Sequence, residues 1–142
     1  MKYLLDTCVI SELVRHSPNE RVVSWLEAQD GDSLYLSWLT IGEVRMGIVK
    51  RGGDARAKEL EHWLNDIIVS SYGNRILPVD GDVARLWGDI CGVAERAGRK
   101  RPAIDSLIAA TALANHMTLV TRNVDDMAGT GVSIFNPFVI GV

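Results

Sequence analysis

Four acidic residues stand at equivalent places relative to the strands predicted for this chain. Asp6 comes at the end of the first strand, and Glu43 lies in the first turn of the helix after the second strand. Asp105 lies in the first turn of a helix opened by Pro102, and Asp126 lies in the loop after the fourth strand. If the strands form one parallel sheet, all four carboxylates point to the same edge of it.

Carboxylates that converge in this way repel one another, which raises their pKa values unless a cation intervenes. Oxygen ligands that leave room for water suit Mg²⁺ or Mn²⁺. Two such ions about 3.5–4 Å apart can activate water and stabilise the leaving oxygen of a phosphodiester. The four acids therefore predict a metal-dependent nuclease.

Each acid also has a simpler explanation when it is taken alone. Asp6 is a suitable N-cap for a following helix, and Thr40-Ile41-Gly42-Glu43 reads as a capping box. Asp105 is favoured near a helix start by the helix dipole, and Asp126, next to Asp125, suits a turn. Spacing alone thus also permits a non-catalytic binding module whose acids only cap helices.

The elements that must position these acids are short β-rich runs alternating with helical periods. Strands are predicted at 2–5, 34–38, 75–79, 118–121 and 133–135. Helices are predicted at 11–16, 40–50, 83–97 (before Gly98) and 102–115. A further helix is predicted to start with Ser17 as N-cap and Pro18 as its first residue, with Glu20 closing a capping box. Another is predicted where one helical face is formed by Leu60, Trp63, Leu64, Ile67 and Ile68.

Strands separated by helices imply crossover connections and a parallel sheet covered on both faces. In such sheets, ligands bind beyond the carboxyl ends of the strands, where the strand order reverses. We therefore expect an α/β fold with three layers, α/β/α, around a central, mostly parallel sheet of four to five strands. Residues 1–142 are expected to form a single domain.

Composition narrows the classes of function. The 15 basic and 18 acidic residues give a net charge of −3, which argues against coating nucleic acid by bulk charge but permits a local basic groove. The longest apolar run, Leu107 to Ala110, is far shorter than a membrane span of about 20 residues, and the N-terminus does not resemble a signal peptide. Two cysteines are too few for a disulfide framework, so we expect a cytoplasmic protein with no membrane partner.

The sequence around the acids resembles that of PIN-domain ribonucleases, the VapC/FitB-like toxins of bacterial toxin–antitoxin pairs. Four stretches carry the resemblance, in the family's order and over essentially the whole chain: Leu4 to Leu13, Thr40 to Ile48, Gly98-Arg99 with Asp105 to Ala112, and Thr121 to Met127 followed by Gly131 and Asn136-Pro137-Phe138. Three positions depart from the pattern. Cys8 replaces a common Asn, Met127 replaces the usual Phe, and His116 stands where Gly or Asn often ends the helix.

The resemblance implies a PIN-like fold and a role for each matching position. Asp6, Glu43 and Asp105 correspond to the family's metal-coordinating acids, and Asp126 corresponds to a more variable fourth acid, with Asp125 as its alternative. Polar residues that line the site correspond to Thr7, Thr121 and Asn123.

The resemblance also implies cofactors and partners. The expected activity is an endoribonuclease that uses Mg²⁺ or Mn²⁺ and cuts RNA, with structured RNA such as tRNA as a candidate substrate. The expected assembly is a homodimer with a cognate VapB/FitA-like antitoxin docked over its groove. Operator DNA would be bound only through the antitoxin.

Four cations, Arg96, Arg99, Lys100 and Arg101, lie within six residues just before Asp105. They suit either a solvated loop or a positive rim that contacts RNA phosphates, and we predict phosphate contacts for Arg99, Lys100 and Arg101. Two other enzyme classes stay open. An aspartyl phosphotransferase would need a second acid where Cys8 stands, and a PIN-like nuclease acting on DNA would use the same metal chemistry.

Overall fold

Five short strands form a parallel sheet in the computed structural model, which describes residues 1–139. Within this range the sheet order is β3-β2-β1-β4-β5, and every neighbouring pair is parallel. The strands are β1 (Tyr3–Leu5), β2 (Leu34–Ser37), β3 (Ile76–Leu77), β4 (Thr118–Val120) and β5 (Ile134–Phe135). The central position belongs to β1, and the chain crosses to its other side between β3 and β4. The expected parallel sheet and its strand number are confirmed.

Helices connect the strands and cover the sheet. They are α1 (Thr7–Glu12), α2 (Glu20–Ala28), α3 (Trp38–Lys50), α4 (Ala55–His62), α5 (Ser70–Tyr72), α6 (Gly81–Arg96), α7 (Ala103–Ala114) and α8 (Val124–Met127). A π-helical segment, Trp63–Val69, joins α4 to α5, and single 3₁₀ turns occur at Gly31–Ser33 and Gly73–Arg75. In this part of the chain, no helix combines the length and the apolar character that a membrane span requires.

Adjacent residues of β1 enter two different hydrophobic cores, because successive strand residues face opposite sides of a sheet. Leu5 packs in a core with Val9 of α1 and Val22 of α2. Leu4 packs in a second core with Ile108 and other residues of α7. The sheet therefore lies between two helical layers, as the alternation of strands and helices predicts.

The first helix begins earlier than its sequence predicts. We expected a helix at 11–16, but α1 begins at Thr7, directly after β1. Asp6 caps it, since its Oδ1 accepts a hydrogen bond of 2.8 Å from the Thr7 N–H. Thr7, Val9 and Ile10 are β-branched and disfavour helix locally, so tertiary packing and this cap decide the structure.

The cap predicted for the second helix is also wrong. Asn19, not Ser17, caps α2, and its Oδ1 accepts hydrogen bonds from the Arg21 and Val22 N–H groups at 2.9 and 3.4 Å. The Asn19 N–H in turn donates to the buried carboxylate of Glu12 at 2.8 Å. This contact with the end of α1 fixes the residue at which α2 begins.

The capping box predicted at Thr40 is absent. Ser37, the last residue of β2, caps α3 by accepting a hydrogen bond of 3.0 Å from the Leu39 N–H. Thr40 is a fully buried residue of the first turn, and Glu43 lies in the second turn rather than the first. The side chain of Glu43 is therefore free of any capping role at this helix start.

Local departures elsewhere have clear geometric causes. The predicted apolar face after Leu60 is interrupted at Ile67, which is 47% exposed, because the π-helical turn is wider than an α-helical one. Gly98 ends α6 with φ +77°, as predicted. His116 adopts φ +56° after α7, which is the left-handed conformation that Gly or Asn adopts more easily. Asp126 lies in the short helix α8, not in a loop.

The two candidate caps of α2 offer a direct test of the fold. Asn19→Ala should lower the free energy of unfolding by about 0.5–2 kcal/mol, because it removes the acceptor for two helix N–H groups. Ser17→Ala, the matched control at the predicted cap, should change it by less than about 0.5 kcal/mol. Urea denaturation of both variants measures the difference. A larger loss for Ser17→Ala would contradict this assignment of the cap.

Candidate active site

Asp6 is the buried centre of the site. It follows β1, the central strand, and only 2% of its surface is exposed. Its Oδ2 accepts a hydrogen bond of 2.7 Å from the Thr121 hydroxyl, and its Oδ1 accepts the cap bond from the Thr7 N–H. Burial raises the pKa of Asp6 above its ordinary value of 3.8, and these hydrogen bonds oppose the rise. Asp6 is thus held at the edge where the strand order reverses.

Thr7 joins Asp6 to Glu43. Its hydroxyl donates to Glu43 Oε1 at 2.5 Å and lies 3.3 Å from the hydroxyl of the buried Thr40. The contact connects α1 to α3, which are distant in sequence but packed together. It points the carboxylate of Glu43 toward the end of β1.

The raised pKa of Asp105 indicates that the other three predicted acids are near enough for their charges to act on it. Its pKa is raised above the ordinary value of 3.8, first by its own burial and then by the negative charges of Asp6, Asp126 and Glu43. Asp125 is not among the charges that act on Asp105. Of the two candidates for a fourth acid, Asp126 is therefore the one favoured by its charge effect on Asp105.

The predicted site-lining residues differ in how they contribute. Thr121 is fully buried, and its hydroxyl donates to Asp6 while accepting a hydrogen bond of 3.0 Å from the Asn123 N–H. Asn123 thus contacts the site through its backbone, and its side chain does not cap α8. Thr7 and Thr121 hold the acids directly.

Cys8 occupies the site without the properties of a nucleophile. Its Sγ lies 3.9 Å from Asp6 Oδ2 and 3.7 Å from Thr121 Oγ1. Burial, and to a lesser extent the charge of Asp6, raises the pKa of the thiol above its ordinary value of 9.0. A reactive cysteine needs a stabilised thiolate, so this environment favours a packing role.

The predicted basic rim divides into two parts. Arg99 and Lys100 are exposed. Arg101 is half-buried, and its guanidinium donates to the backbone carbonyls of Asp126 and Ala128 at 3.1 and 2.8 Å. Both terminal nitrogens of Arg101 thus bond the protein, while the predicted phosphate contact for this residue stays a prediction.

A groove of about 320 Å³ opens beside the acids. Its lining includes Thr7, Glu43, Trp63, Arg15, Arg51 and Arg56. Each arginine forms an ion pair with an acid three residues away, namely Glu12, Asp54 and Glu59 respectively. The convergence of these three arginines depends on how α3 packs against α1 and α4, which local sequence patterns do not show.

The donor set fits the metal that the sequence predicts, although the ligands are not gathered into a shell. All four acids offer carboxylate oxygens, which suit Mg²⁺ or Mn²⁺. Within residues 1–139, no three Asp, Glu, His or Cys side chains are placed together as ligands of one ion. Asp6 Oδ1 accepts a single hydrogen bond, from the Thr7 N–H, and keeps a second lone pair, whereas Oδ2 accepts from both the Thr121 hydroxyl and the Cys8 thiol. The acids therefore share an electrostatic field and keep the capacity to bind a cation.

A parallel α/β sheet with acids at the edge where the strand order reverses suits a metal-dependent nuclease. Similarity to known proteins identifies the family. Residues 3–130 match the sequence pattern of the PIN domain family, so the chain belongs to this family. The toxin FitB of Neisseria gonorrhoeae is 38% identical over 135 residues, which cover 95% of this chain and 97% of that protein. The VapC ribonuclease Y4jK of Sinorhizobium fredii is 33% identical, with 95% and 96% covered.

A solved structure supports the same grouping. The structure of FitAB bound to an IR36 DNA fragment contains a chain that superposes with a TM-score of 0.92 and 36% identity. The match covers 99% of this chain and 98% of that one. The resemblance to VapC/FitB-like members, drawn from four sequence motifs, is confirmed.

The raised pKa of Asp105 predicts a pH-dependent cost in stability. Because folded Asp105 holds its proton more firmly than the unfolded chain does, stability should fall as pH rises from 3.8 through the raised value. Asp105→Asn should remove this loss and raise the free energy of unfolding of the metal-free protein at pH 7 by about 0.5–2 kcal/mol. Urea denaturation in EDTA at several pH values measures it.

Asp125→Asn is the matched control, since Asp125 is exposed and exerts no charge effect on Asp105. It should follow the pH dependence of the unmodified protein. A parallel pH dependence for Asp105→Asn would contradict the electrostatic picture of the site.

Proposed function

We propose that the protein is a metal-dependent endoribonuclease acting as the toxin of a type II toxin–antitoxin pair. The observation that carries the proposal is the convergence of the acids: Thr7 bonds Asp6 through its N–H and Glu43 through its hydroxyl, and the charges of Asp6, Glu43 and Asp126 raise the pKa of Asp105. Helix caps alone would not need to face one another, and here Glu43 and Asp126 do not cap their helices. The arrangement therefore favours a cation site over the alternative of a non-catalytic binding module.

The four acids would hold Mg²⁺ or Mn²⁺. Such an ion supplies positive charge and Lewis-acid chemistry for hydrolysis of a phosphodiester. The chain itself contributes orientation, since Thr121 fixes Asp6 and Thr7 fixes Glu43. An aspartyl phosphotransferase is disfavoured, because the position two residues after Asp6 is a thiol with a raised pKa.

The groove beside Thr7 and Glu43 supports a route for RNA. Arg51 pairs with the exposed acid Asp54, so a phosphate group can compete for it, whereas Arg15 pairs with the buried Glu12 and Arg56 also donates to the Val14 carbonyl. We place the RNA backbone along this groove, with Arg99 and Lys100 as further contacts near the start of α7. RNA is preferred over DNA because one relative is a VapC ribonuclease.

The same groove suits an inhibitory partner. A VapB/FitA-like antitoxin that covered Thr7, Glu43 and the arginines would exclude RNA from the acids. The FitAB relative bound to DNA supports such a partner, and we propose that operator DNA binds through the antitoxin. The homodimer and the cytoplasmic location expected from the sequence stay predictions.

Cleavage of labelled structured RNA tests the activity. The purified protein should cut RNA with Mg²⁺ or Mn²⁺ and not with EDTA. Asp6→Asn and Asp105→Asn should each cut about 10²–10³-fold more slowly, the usual scale for loss of a charged group at a reacting centre. Asp125→Asn, outside the field at Asp105, should retain nearly full activity.

Two further results would decide between the alternatives. A contaminating nuclease would also need a metal, but its activity would not follow the variants, so full activity in folded Asp6→Asn and Asp105→Asn would overturn the proposal. A DNA strand of the same sequence, cut faster than the RNA, would favour the DNA-cleaving alternative. Binding of RNA without cleavage would favour the binding module.

A further inference from the structure

Arg101 physically joins the two elements that carry Asp105 and Asp126. Its backbone leads into α7, where Asp105 is the third residue. Its guanidinium reaches across to α8 and donates to the carbonyls of Asp126 and Ala128 at 3.1 and 2.8 Å. These bonds connect residues 25 and 27 positions apart, so they act between elements rather than within one.

The segment that Arg101 contacts is α8, which also packs against α7 and β5. It is a single helical turn, Val124–Met127, without a side-chain cap at its start. Met127 anchors it in the core, where only 1% of that side chain is exposed. The Thr130 hydroxyl donates to the Met127 carbonyl at 2.7 Å. Arg101 bonds the carbonyls on either side of Met127, so it holds this turn at two further points.

The local backbone is shaped to admit the guanidinium. Gly129 has φ +82°, a conformation that L side chains rarely adopt. A Cβ at this position would lie 3.0 Å from Arg101 Nη2, tighter than ordinary contact. The Arg101 Nε is buried without a hydrogen-bond partner among the described residues, which is unfavourable. The two bonds made by the terminal nitrogens of the planar guanidinium offset this loss.

The carboxylate of Asp126 gains its position from this backbone alone. The residue is exposed, and in the described range its side-chain oxygens have no hydrogen bond or ion pair with protein groups. Its distance from Asp105 is therefore set by how α8 is held against α7. Arg101 contributes two side-chain hydrogen bonds to this segment, on either side of the one from the Thr130 hydroxyl.

We propose that Arg101 is a positioning residue, which fixes α8 so that the Asp126 carboxylate completes a cation site with Asp105. The inference rests on the proposed metal site and deepens it. It assigns the last cation of the basic run to the assembly of the acids, and leaves Arg99 and Lys100 for the substrate. Loss of a group that orients a metal ligand typically weakens metal affinity about 10–100-fold.

The direction of the change in metal affinity distinguishes a positioning role of Arg101 from a simple effect of its charge. Removing a cation near a metal site strengthens the binding of a second cation, because it removes repulsion. If Arg101 positions Asp126, its removal weakens the binding instead. Arg99→Ala is the matched control, since it removes the same charge two residues away from an exposed site.

Calorimetric titration with Mn²⁺ in the absence of RNA provides the test. Arg101→Ala should weaken Mn²⁺ binding about 10-fold, and Arg101→Lys about 3-fold, because an ammonium lacks the fork that spans both carbonyls. Arg99→Ala should leave the affinity unchanged or slightly stronger. In an Asp126→Asn background, Arg101→Ala should change the affinity by less than about 2-fold, since its effect passes through Asp126.

Amide hydrogen exchange of the metal-free protein gives a second readout. The Ala128 N–H donates to the Val124 carbonyl at 3.0 Å, and its exchange should be about 10-fold faster in Arg101→Ala but not in Arg99→Ala. Unchanged exchange, unchanged Mn²⁺ affinity, or an equal loss of affinity in the Asp126→Asn background would each overturn the proposal. If Mn²⁺ binds as expected but RNA is not cut, the proposed function fails and the role of Arg101 stands.

Discussion

The burial of a carboxylate at the end of the central strand is the constraint on which the rest of the site depends. Removing Asp6 from water is unfavourable unless its oxygens find partners. The Thr7 N–H and the Thr121 hydroxyl provide them, and they come from the elements that follow β1 and β4. The same two bonds start α1 and fix the end of β4. A single acid therefore sets the local fold and the place where the other acids gather.

The sequence predicted the architecture well because its signals are local. Short β-rich runs located the five strands, helical periods located most helices, and Gly98 marked the end of α6. The predictions are wrong where contacts with residues distant in sequence determine the local structure. Thr40 and Ser37 are both suitable N-cap residues by type. The folded structure places Thr40 inside the first turn of α3, and Ser37 caps the helix by accepting from the Leu39 N–H. Likewise, the carbonyls that Arg101 bonds lie 25 and 27 residues further along the chain, beyond the reach of any local pattern.

The acids could be predicted as a group for the same reason, since strand ends in a parallel sheet meet at one edge. Their grouping works against stability, because like charges raise one another's pKa values when no cation separates them. Such strain is common at functional sites, where activity and stability are in conflict. Asp105 shows this conflict most directly, since three other acids act on it. A purely structural arrangement would gain from separating these charges, and here Thr7 instead holds Glu43 toward them.

The cations around the site complete this electrostatic picture. Those of the groove are each balanced by an acid three residues away, so the groove adds little to the net charge of −3. The exposed pairs, Arg51–Asp54 and Arg56–Glu59, contribute only about 0–1 kcal/mol each, so a phosphate or a partner carboxylate can replace the local acid at small cost. Bulk attraction for nucleic acid is thereby kept low while the capacity to bind a phosphodiester at one place is retained. Selectivity must then come from the fixed geometry of the acids, which is why a side chain that holds α8 in place matters more to this site than one more exposed positive charge.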